Sequence, residues 1–387
     1  MIIISPLIRM ILRIASILLY LLTIAAAFGG LCNPEYLTLP SVLVLALPYL
    51  AIATLLTGII WLCTGGLLTG ALAAVTLFAC WGTLKDVTPA GHSKDAYDST
   101  QTFRLITFNC LHFADTTHSD RPGNRAIKFI AESGADIVCL QEMMNLEDAS
   151  EIHHWSRGLI DSLYAAYPYR AGSTGSDLKI LSKYPVKQKE IANANREEEA
   201  YWKSRRRWRL FEVNIDGFLL PIVDFHLDPY DLTETERGVV TDIRGVSTAK
   251  RSYSEFRKEI FPKLGVAFRS RAASVKDLVE TTQGINPIIA CGDFNDVPGS
   301  WAYRAMRDAG FNDAYPETNF GPTNTFNQFL FLFHIDQIFY RGASLRALDV
   351  KKLKLDTSDH YPIEATFEYI KSPDRKPTHR PGPWNAI

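Results

Sequence analysis

The stretch "IIACGDFND", residues 288–296, runs four apolar residues and a glycine directly into Asp293 and Asn295. Such a run reads as a buried strand. Side chains alternate along a strand, so Asp293 and Asn295 are expected on one face and Phe294 on the other. A carboxylate and an amide therefore end a core strand side by side.

Working outward, the pattern recurs. "FRLITFN" (103–109) is a β-rich run ending at Asn109, and "ADIVCLQE" (135–142) is a buried strand ending at Glu142. Between them, "GNRAIKFIAESG" (123–134) has Ala126, Ile127, Ile130 and Ala131 at helical spacing, with Gly134 as the stop. "LKILSKYP" (178–185) follows, then two apolar strands in "RLFEVNIDGFLLPIVDFHL" (209–227), joined by the hairpin signal Asp216-Gly217. Residues 233–284 are mostly helical in pattern, with Phe256, Ile260, Leu264, Ala267, Phe268, Val275 and Leu278 on one side and Pro262 expected to break or kink the helix. A short helix is expected over Trp301 to Arg307, then strands in "HIDQIFY" (334–340) and "YPIEATFEYI" (361–370). The proline-rich tail from Ser372 is expected to be disordered or extended. Hairpins mixed with helices predict an α/β layered fold with mixed sheets.

Composition divides the chain. Residues 1–84 carry only Arg9, Arg13 and Glu35 as charges, and contain three uncharged segments: Ile14 to Leu31, Ser41 to Cys63, and Leu67 to Leu84. Each is long enough to cross roughly 30 Å of hydrocarbon as a helix, which predicts a three-helix membrane anchor over residues 1–84. A signal peptide followed by core helices is the alternative, but two further apolar segments follow its cleavage region near Ala25 to Ala27. Arg9 and Arg13 favour a cytoplasmic N-terminus, which puts the rest of the chain on the extracytoplasmic side after three crossings. Residues 85–101 read as a linker, 102–370 as one folded α/β domain and 371–387 as the tail. Of 41 basic and 42 acidic residues, removing Arg9, Arg13 and Glu35 leaves 39 against 41. That balance argues against a generally basic nucleic-acid binder. The six cysteines form no C-x-x-C pair and read as free thiols, Cys110, Cys139 and Cys291 in buried strands.

Asn109, Glu142, His226, Asp293, Asn295, Asp336, Asp359 and His360 all fall at or near ends of expected strands. Any one of them is ordinarily a turn former. Eight such residues together look like a site assembled along one edge of a sheet scaffold.

These segments, "ITFN", "DIVCLQE", "ILSKYPV", "DFHL", "GDFND", "IDQIF" and "SDHYPI", resemble in content and order the endonuclease/exonuclease/phosphatase superfamily, the deoxyribonuclease-like phosphodiesterases. The N-terminal hydrophobic segments are similar in layout to a membrane-anchored bacterial subgroup. The resemblance implies a four-layer α/β/β/α sandwich, here preceded by three transmembrane helices. It also implies Mg²⁺-dependent phosphoester hydrolysis, with Mn²⁺ as a substitute, since Mg²⁺ takes oxygen ligands and completes its shell with water and substrate. Glu142 is the best ligand candidate, with Asn109 and Asp359 in the same metal neighbourhood. His360 would activate water and Asp336 would orient it, while His226 and Asn295 would donate to the phosphoryl oxygens. Asp293 is either a proton-transfer partner or a ligand for a second metal. His334 stands where relatives often carry arginine, and reads as a core or surface histidine.

The substrate is expected to be a phosphoester, a diester ahead of a monoester, carried by nucleic acid or phospholipid. The bilayer is the partner of the N-terminal segments, and no protein partner is inferred. "REEEAYWKSRRRWRLFE" (196–212) interleaves Arg205, Arg206, Arg207 and Arg209 with Trp202 and Trp208. It could hold a nucleic-acid strand or lie against anionic headgroups, but the adjacent Glu197 to Glu199 favour a solvated edge strand. The segment Asp228 to Ser254 follows His226 directly and is either a specificity loop or an ordinary surface insertion. A catalytically inactive, membrane-tethered binding protein is the competing class, though every expected site position is filled. Transport is excluded, because the apolar segments hold no ionisable residue to mark a pathway.

Overall fold

The structure, a computed structural model, describes residues 5–97, 101–114, 123–143, 146, 155–173, 176–191, 206–232, 256–327 and 333–370. The tail, Trp202, Arg205, Glu197 to Glu199, and most of the segment after Leu232 lie outside the described residues.

Helix α1 (Pro6–Phe28) and helix α2 (Leu39–Cys63) are each long and apolar enough to cross a membrane. They run antiparallel. Trp61 Nε1 donates to Ser16 Oγ at 2.9 Å, and Thr23 and Thr54 share a hydrogen bond of 2.8 Å. The third expected span is corrected: it is no single straight helix. Helix α3 (Leu67–Ala79) gives way at Cys80 to helix α4 (Trp81–Val87), with a bend of 69°. At 1.5 Å per residue α3 reaches only about 20 Å, short of the hydrocarbon thickness. The bend has a tertiary cause. Thr83 on α4 donates to Ala27 O at 2.8 Å and accepts from Arg304 at 2.6 Å, which turns α4 along the rest of the molecule.

The segment read as a linker is laid along the α/β fold that follows it. Lys94 N donates to Leu348 O at 2.7 Å, Gly321 N to Pro89 O at 2.8 Å, and Tyr97 N to Glu368 at 2.7 Å.

The α/β part of the chain is two six-stranded mixed sheets packed face to face. Strand β1 (Gln101–Asn109), helix α5 (Arg125–Glu132) and strand β2 (Ile137–Gln141) form the expected strand–helix–strand unit, with β1 and β2 parallel. Helix α6 (Arg157–Ala166) leads into β3 (Tyr169–Ala171) and β4 (Lys179–Ser182), and β5 (Val186–Gln188) crosses to the second sheet. There β6 (Trp208–Ile215) and β7 (Phe218–His226) make the expected hairpin, with Asp216 and Gly217 both at positive φ. Helix α7 (Phe261–Thr281) follows a π-helical turn, Phe256–Ile260. Pro262 marks a change in the helix: the turn before it is π-helical and the regular α-helix begins beside it. The proline occupies the first turn, where a missing N–H costs nothing.

The chain continues through β8 (Ile288–Asp293), α8 (Trp301–Asp308), β9 (Asn312–Asp313), α9 (Ala314–Thr318), β10 (Asp336–Arg341), β11 (Leu345–Lys352) and β12 (Ile363–Tyr369). The sheet orders are β11-β12-β1-β2-β4-β3 and β5-β6-β7-β8-β10-β9. Phe103, Leu105, Ile137 and Cys139 of the first sheet meet Ile222, Ile289, Cys291 and Ile338 of the second in a single buried cluster. Helices α5 and α6 cover the outer face of the first sheet, and α7 and α8 that of the second, which gives the expected α/β/β/α layering. All six cysteines are free, with Cys110, Cys139 and Cys291 buried.

Candidate active site

Strand parity builds the site. In β1 the residues facing the other sheet are Phe103, Leu105 and Thr107, so the next on that face is Asn109. By the same count Ile222 leads to His226, Ile289 and Cys291 lead to Asp293, and Tyr340 and Ile338 lead back to Asp336. Four strands of two sheets therefore aim polar ends into the seam between the layers. Phe294 points the other way, into the cluster under α7 and α8.

Asn109 Nδ2 donates to Glu142 Oε1 at 2.9 Å and to Asp293 Oδ2 at 3.0 Å, bridging the two sheets. Its side-chain oxygen accepts from Leu111 N at 3.1 Å, so its nitrogen, not its oxygen, faces the carboxylates. His360 Nδ1 donates to Asp336 Oδ2 at 2.8 Å, and its Nε2 lies 3.6 Å from Asp293 Oδ2. His226 Nε2 lies 3.6 Å from Glu142 Oε1 and 3.8 Å from Asp293 Oδ2. Asn295 N donates to Asp293 Oδ1 at 2.9 Å, and Asn295 Nδ2 to Leu227 O at 2.9 Å. Ser358 Oγ donates to Asn109 O at 2.8 Å, which brings Asp359 to the rim of the same cavity as Glu142, Asp293 and His360. All eight residues singled out in the sequence thus converge on one locality.

Sequence reasoning missed Asp177. Its Oδ2 accepts from His226 Nδ1 at 2.8 Å, making a second Asp–His pair that mirrors Asp336–His360 across Asp293. His334, by contrast, is a buried core histidine, edge-on to Tyr315 with ring centroids 4.8 Å apart.

The backbone is unusual here as well. Glu142 and Asn295 both take positive φ, as do Leu111, His112 and Phe113 in the turn after β1. Left-handed backbone costs a non-glycine residue roughly 1–2 kcal/mol, and such strain clusters at functional sites. His112 N donates to Glu142 O at 2.9 Å, so the two strained segments brace each other.

The electrostatics are those of crowded carboxylates. Burial raises the Asp293 pKa and Asp336 raises it further, against the opposing pull of His360, His226 and Asn109. Burial works against an imidazolium at His360, but Asp336, Asp293 and Asp359 outweigh it and push its pKa up to about 10. His226 follows the same balance: burial lowers its pKa, and the bond to Asp177 with the charges of Asp293 and Glu142 raises it overall. Among the described residues, no Lys or Arg forms an ion pair with Glu142, Asp293 or Asp336.

That donor set fits a hard divalent cation. Oxygen donors dominate, and a cavity that gathers the carboxylates of Glu142, Asp293 and Asp359 suits a divalent cation that would offset the charge of a phosphate. Ligand atoms of Asp293, Asp336 and His360 also lie within 4.8 Å of one another, but Asp336 and His360 spend theirs on a mutual hydrogen bond. Glu142, tied to Asp293 through the Asn109 amide and lining the same cavity as Asp359, keeps its carboxylate available for that role.

Residues 106–360 match the model of the Endonuclease/Exonuclease/phosphatase family, well over half of the chain. The chain belongs to the endonuclease/exonuclease/phosphatase family. Members of this family are generally hydrolases of phosphoester bonds and typically use divalent metals. This member is 25% identical over 295 residues to the uncharacterized protein YbhP of Escherichia coli K12, a match covering 69% of this chain and 98% of YbhP. Among solved structures it is similar to an endonuclease/exonuclease/phosphatase family protein from Bacteroides thetaiotaomicron (TM-score 0.42, 16% identity, 70% of this chain and 96% of that one). It is also similar to sphingomyelinase C from Streptomyces griseocarneus (TM-score 0.39, 15% identity, 69% of this chain and 99% of that one).

Of the arginine and tryptophan run, the described residues 206–209 are used within the fold, while Trp202 and Arg205, with Glu197 to Glu199, lie outside the described residues. Arg206 makes two hydrogen bonds to Asp277 of α7, at 2.8 and 2.9 Å, and fully buried Trp208 donates to the same carboxylate at 3.0 Å. Arg207 pairs with Asp228 at 2.7 Å, and Arg209 donates to the carbonyls of Arg206 and Trp208.

Proposed function

We propose that this family member is a membrane-anchored, divalent-cation-dependent phosphoric-ester hydrolase acting on a phosphodiester. The observation that supports this most directly is His360, tied through Nδ1 to Asp336 and set 3.6 Å through Nε2 from Asp293.

Glu142 and Asp359 would hold Mg²⁺, or Mn²⁺ in its place, which when bound supplies charge neutralisation for the phosphate. Asn109 keeps Glu142 and Asp293 aligned through its two hydrogen bonds. From the sequence, water activation fell to His360. The charge around it favours a different division of labour: a histidine whose pKa is pushed up to about 10 is a cation at neutral pH and a hydrogen-bond donor. Asp293, made more basic by burial, takes the proton from the attacking water. His226, oriented by Asp177, and Asn295 donate to the phosphoryl oxygens as charge builds on them.

Helices α1 and α2 are the anchor. Arg9 and Arg13 sit over the Trp61 ring, 5.9 and 5.5 Å from its centroid, at the bundle end away from the catalytic fold. A basic, aromatic cluster there supports a cytoplasmic N-terminus, and the bent pair α3 and α4, taken together as one broken span, makes the third crossing that would put the catalytic domain on the extracytoplasmic side.

The test is hydrolysis by the purified full chain in detergent, with Mg²⁺ and with EDTA, against DNA, RNA, phospholipids and bis(p-nitrophenyl) phosphate. His360→Ala and Glu142→Ala should each abolish metal-dependent turnover while leaving the protein folded. Turnover retained in both variants would remove the assignment.

A further inference from the structure

The candidate site opens into a cavity of about 750 Å³ with two unlike walls. One carries Glu142, His226, Asp293, Asn295, Asp359 and His360. The other is apolar and is built by α2: Val42, Leu45, Ala46 and Tyr49, spaced as one face of a helix. Phe256, Ile260 and Leu264, four residues apart at the start of the α7 region, face the same cavity. Val42 and Leu45 pack against Ile260, Leu264 and Phe268, so the two helical faces form the sides of a slot. Tyr230 on its floor is held by Arg271, whose guanidinium lies 4.3 Å from the ring centroid. Past Tyr49 the same helix continues with exposed Ile52, Leu55, Leu56, Ile59 and Ile60.

We propose that the substrate is a membrane lipid phosphoester, with its phosphate at the Glu142–Asp293–His360 wall and its acyl chains in the slot between α2 and α7. This rests on the phosphodiesterase reading above and names the substrate class of that site. Continuity argues for the occupant: the helix that walls the site is itself long and apolar enough to cross a bilayer, so a lipid can pass from bilayer to slot along one surface. A nucleic-acid strand is a poor match. It needs cations along its backbone and stacking platforms for its bases, whereas Val42, Leu45, Ile260 and Leu264 would strip water from flanking phosphates and return nothing. Hydrolysis adds water across one ester bond: the water oxygen bonds to phosphorus, the P–O ester bond breaks, and the leaving oxygen keeps the electron pair and takes a proton. The products are an alcohol and a phosphomonoester, one of them bearing the acyl chains.

The experiment uses the full chain in mixed micelles with Mg²⁺. It compares phosphatidylglycerol and phosphatidylethanolamine carrying butyryl to palmitoyl chains, a single-stranded oligonucleotide, and bis(p-nitrophenyl) phosphate as a chain-free diester. Each methylene that reaches the slot adds about fourfold in binding, so kcat/KM should rise by roughly tenfold or more along the series. Ala46→Trp, which fills the slot, should lower the palmitoyl to chain-free ratio of kcat/KM by roughly tenfold. Turnover of the chain-free diester with no dependence on chain length, or faster cleavage of the oligonucleotide than of any palmitoyl lipid, overturns the lipid proposal and leaves the phosphodiesterase reading standing. No turnover of any substrate overturns both. The wild-type chain series decides the matter even where Ala46→Trp does not fold.

Discussion

Asp177 and His226 are joined by a 2.8 Å hydrogen bond that reproduces, on the opposite side of Asp293, the bond between Asp336 and His360. Asp177 therefore fixes the His226 ring through Nδ1 and leaves Nε2 facing the carboxylates. Asp177→Asn keeps the shape but removes the charge that holds the proton on Nδ1. We expect kcat on a chain-free diester to fall by about 10²-fold with Mg²⁺ affinity unchanged. A fall in Mg²⁺ affinity of the same size would mean that Asp177 acts on the metal instead.

Asn109 holds Glu142 and Asp293 in place across the two sheets. Removing the side chain lets both carboxylates relax, so Asn109→Ala should raise the Mg²⁺ concentration for half-maximal activity by about 10–100-fold, the usual cost of losing a group that orients a metal ligand. EDTA should abolish activity in the wild type, and excess Mg²⁺ should restore it. A Mg²⁺ titration of activity reads both effects.

His334 is buried, which lowers its pKa to about 4 despite the opposing charge of Asp336. The unfolded chain binds that proton near pH 6.5, the ordinary value for histidine. Between the two values the unfolded state holds more protons than the folded state, so stability falls as the pH drops from about 6.5 to about 4, by on the order of 3 kcal/mol. His334→Phe should flatten this part of the curve of Tm against pH. An unchanged slope in the variant would locate the acid sensitivity elsewhere.

Arg206 and Asp277 form a nearly buried ion pair, their side chains 7% and 11% exposed, with Trp208 on the same carboxylate. Asp277→Ala leaves the guanidinium without its partner. It should cost about 3 kcal/mol, seen in thermal melts as a Tm lower by roughly 6–10 °C. A neutral outcome would mean that this arginine is free to serve a ligand after all.

Much of this was legible in the sequence because strand parity and burial share a period of two. Once Ile289 and Cys291 are inside, Asp293 must face the other sheet, and the same holds for Asn109 after Leu105 and Thr107. Asp177 is not legible in this way, because it lies before a strand where Asn109, His226 and Asp293 end theirs. β4 runs antiparallel to β2, so the sheet edge where β2 ends is the edge where β4 begins, and a site residue there precedes its strand. Asp336 opens β10 for the same reason and was found through its motif. The third span misled for a different cause. Hydropathy counts apolar residues, whereas the bend at Cys80 depends on Thr83 meeting Ala27 and Arg304, partners distant in sequence.

That meeting has a mechanical consequence. Arg304 Nη2 donates to both Ala27 O and Thr83 Oγ1, at 3.0 and 2.6 Å, so a single guanidinium rivets the catalytic head to the ends of two separate helices. The head then cannot swing on a tether to search for substrate. With α1 and α2 as the proposed anchor, the head would ride at a height set by them, and bilayer thickness, through the tilt it imposes on the two helices, would raise or lower the site relative to the lipid surface.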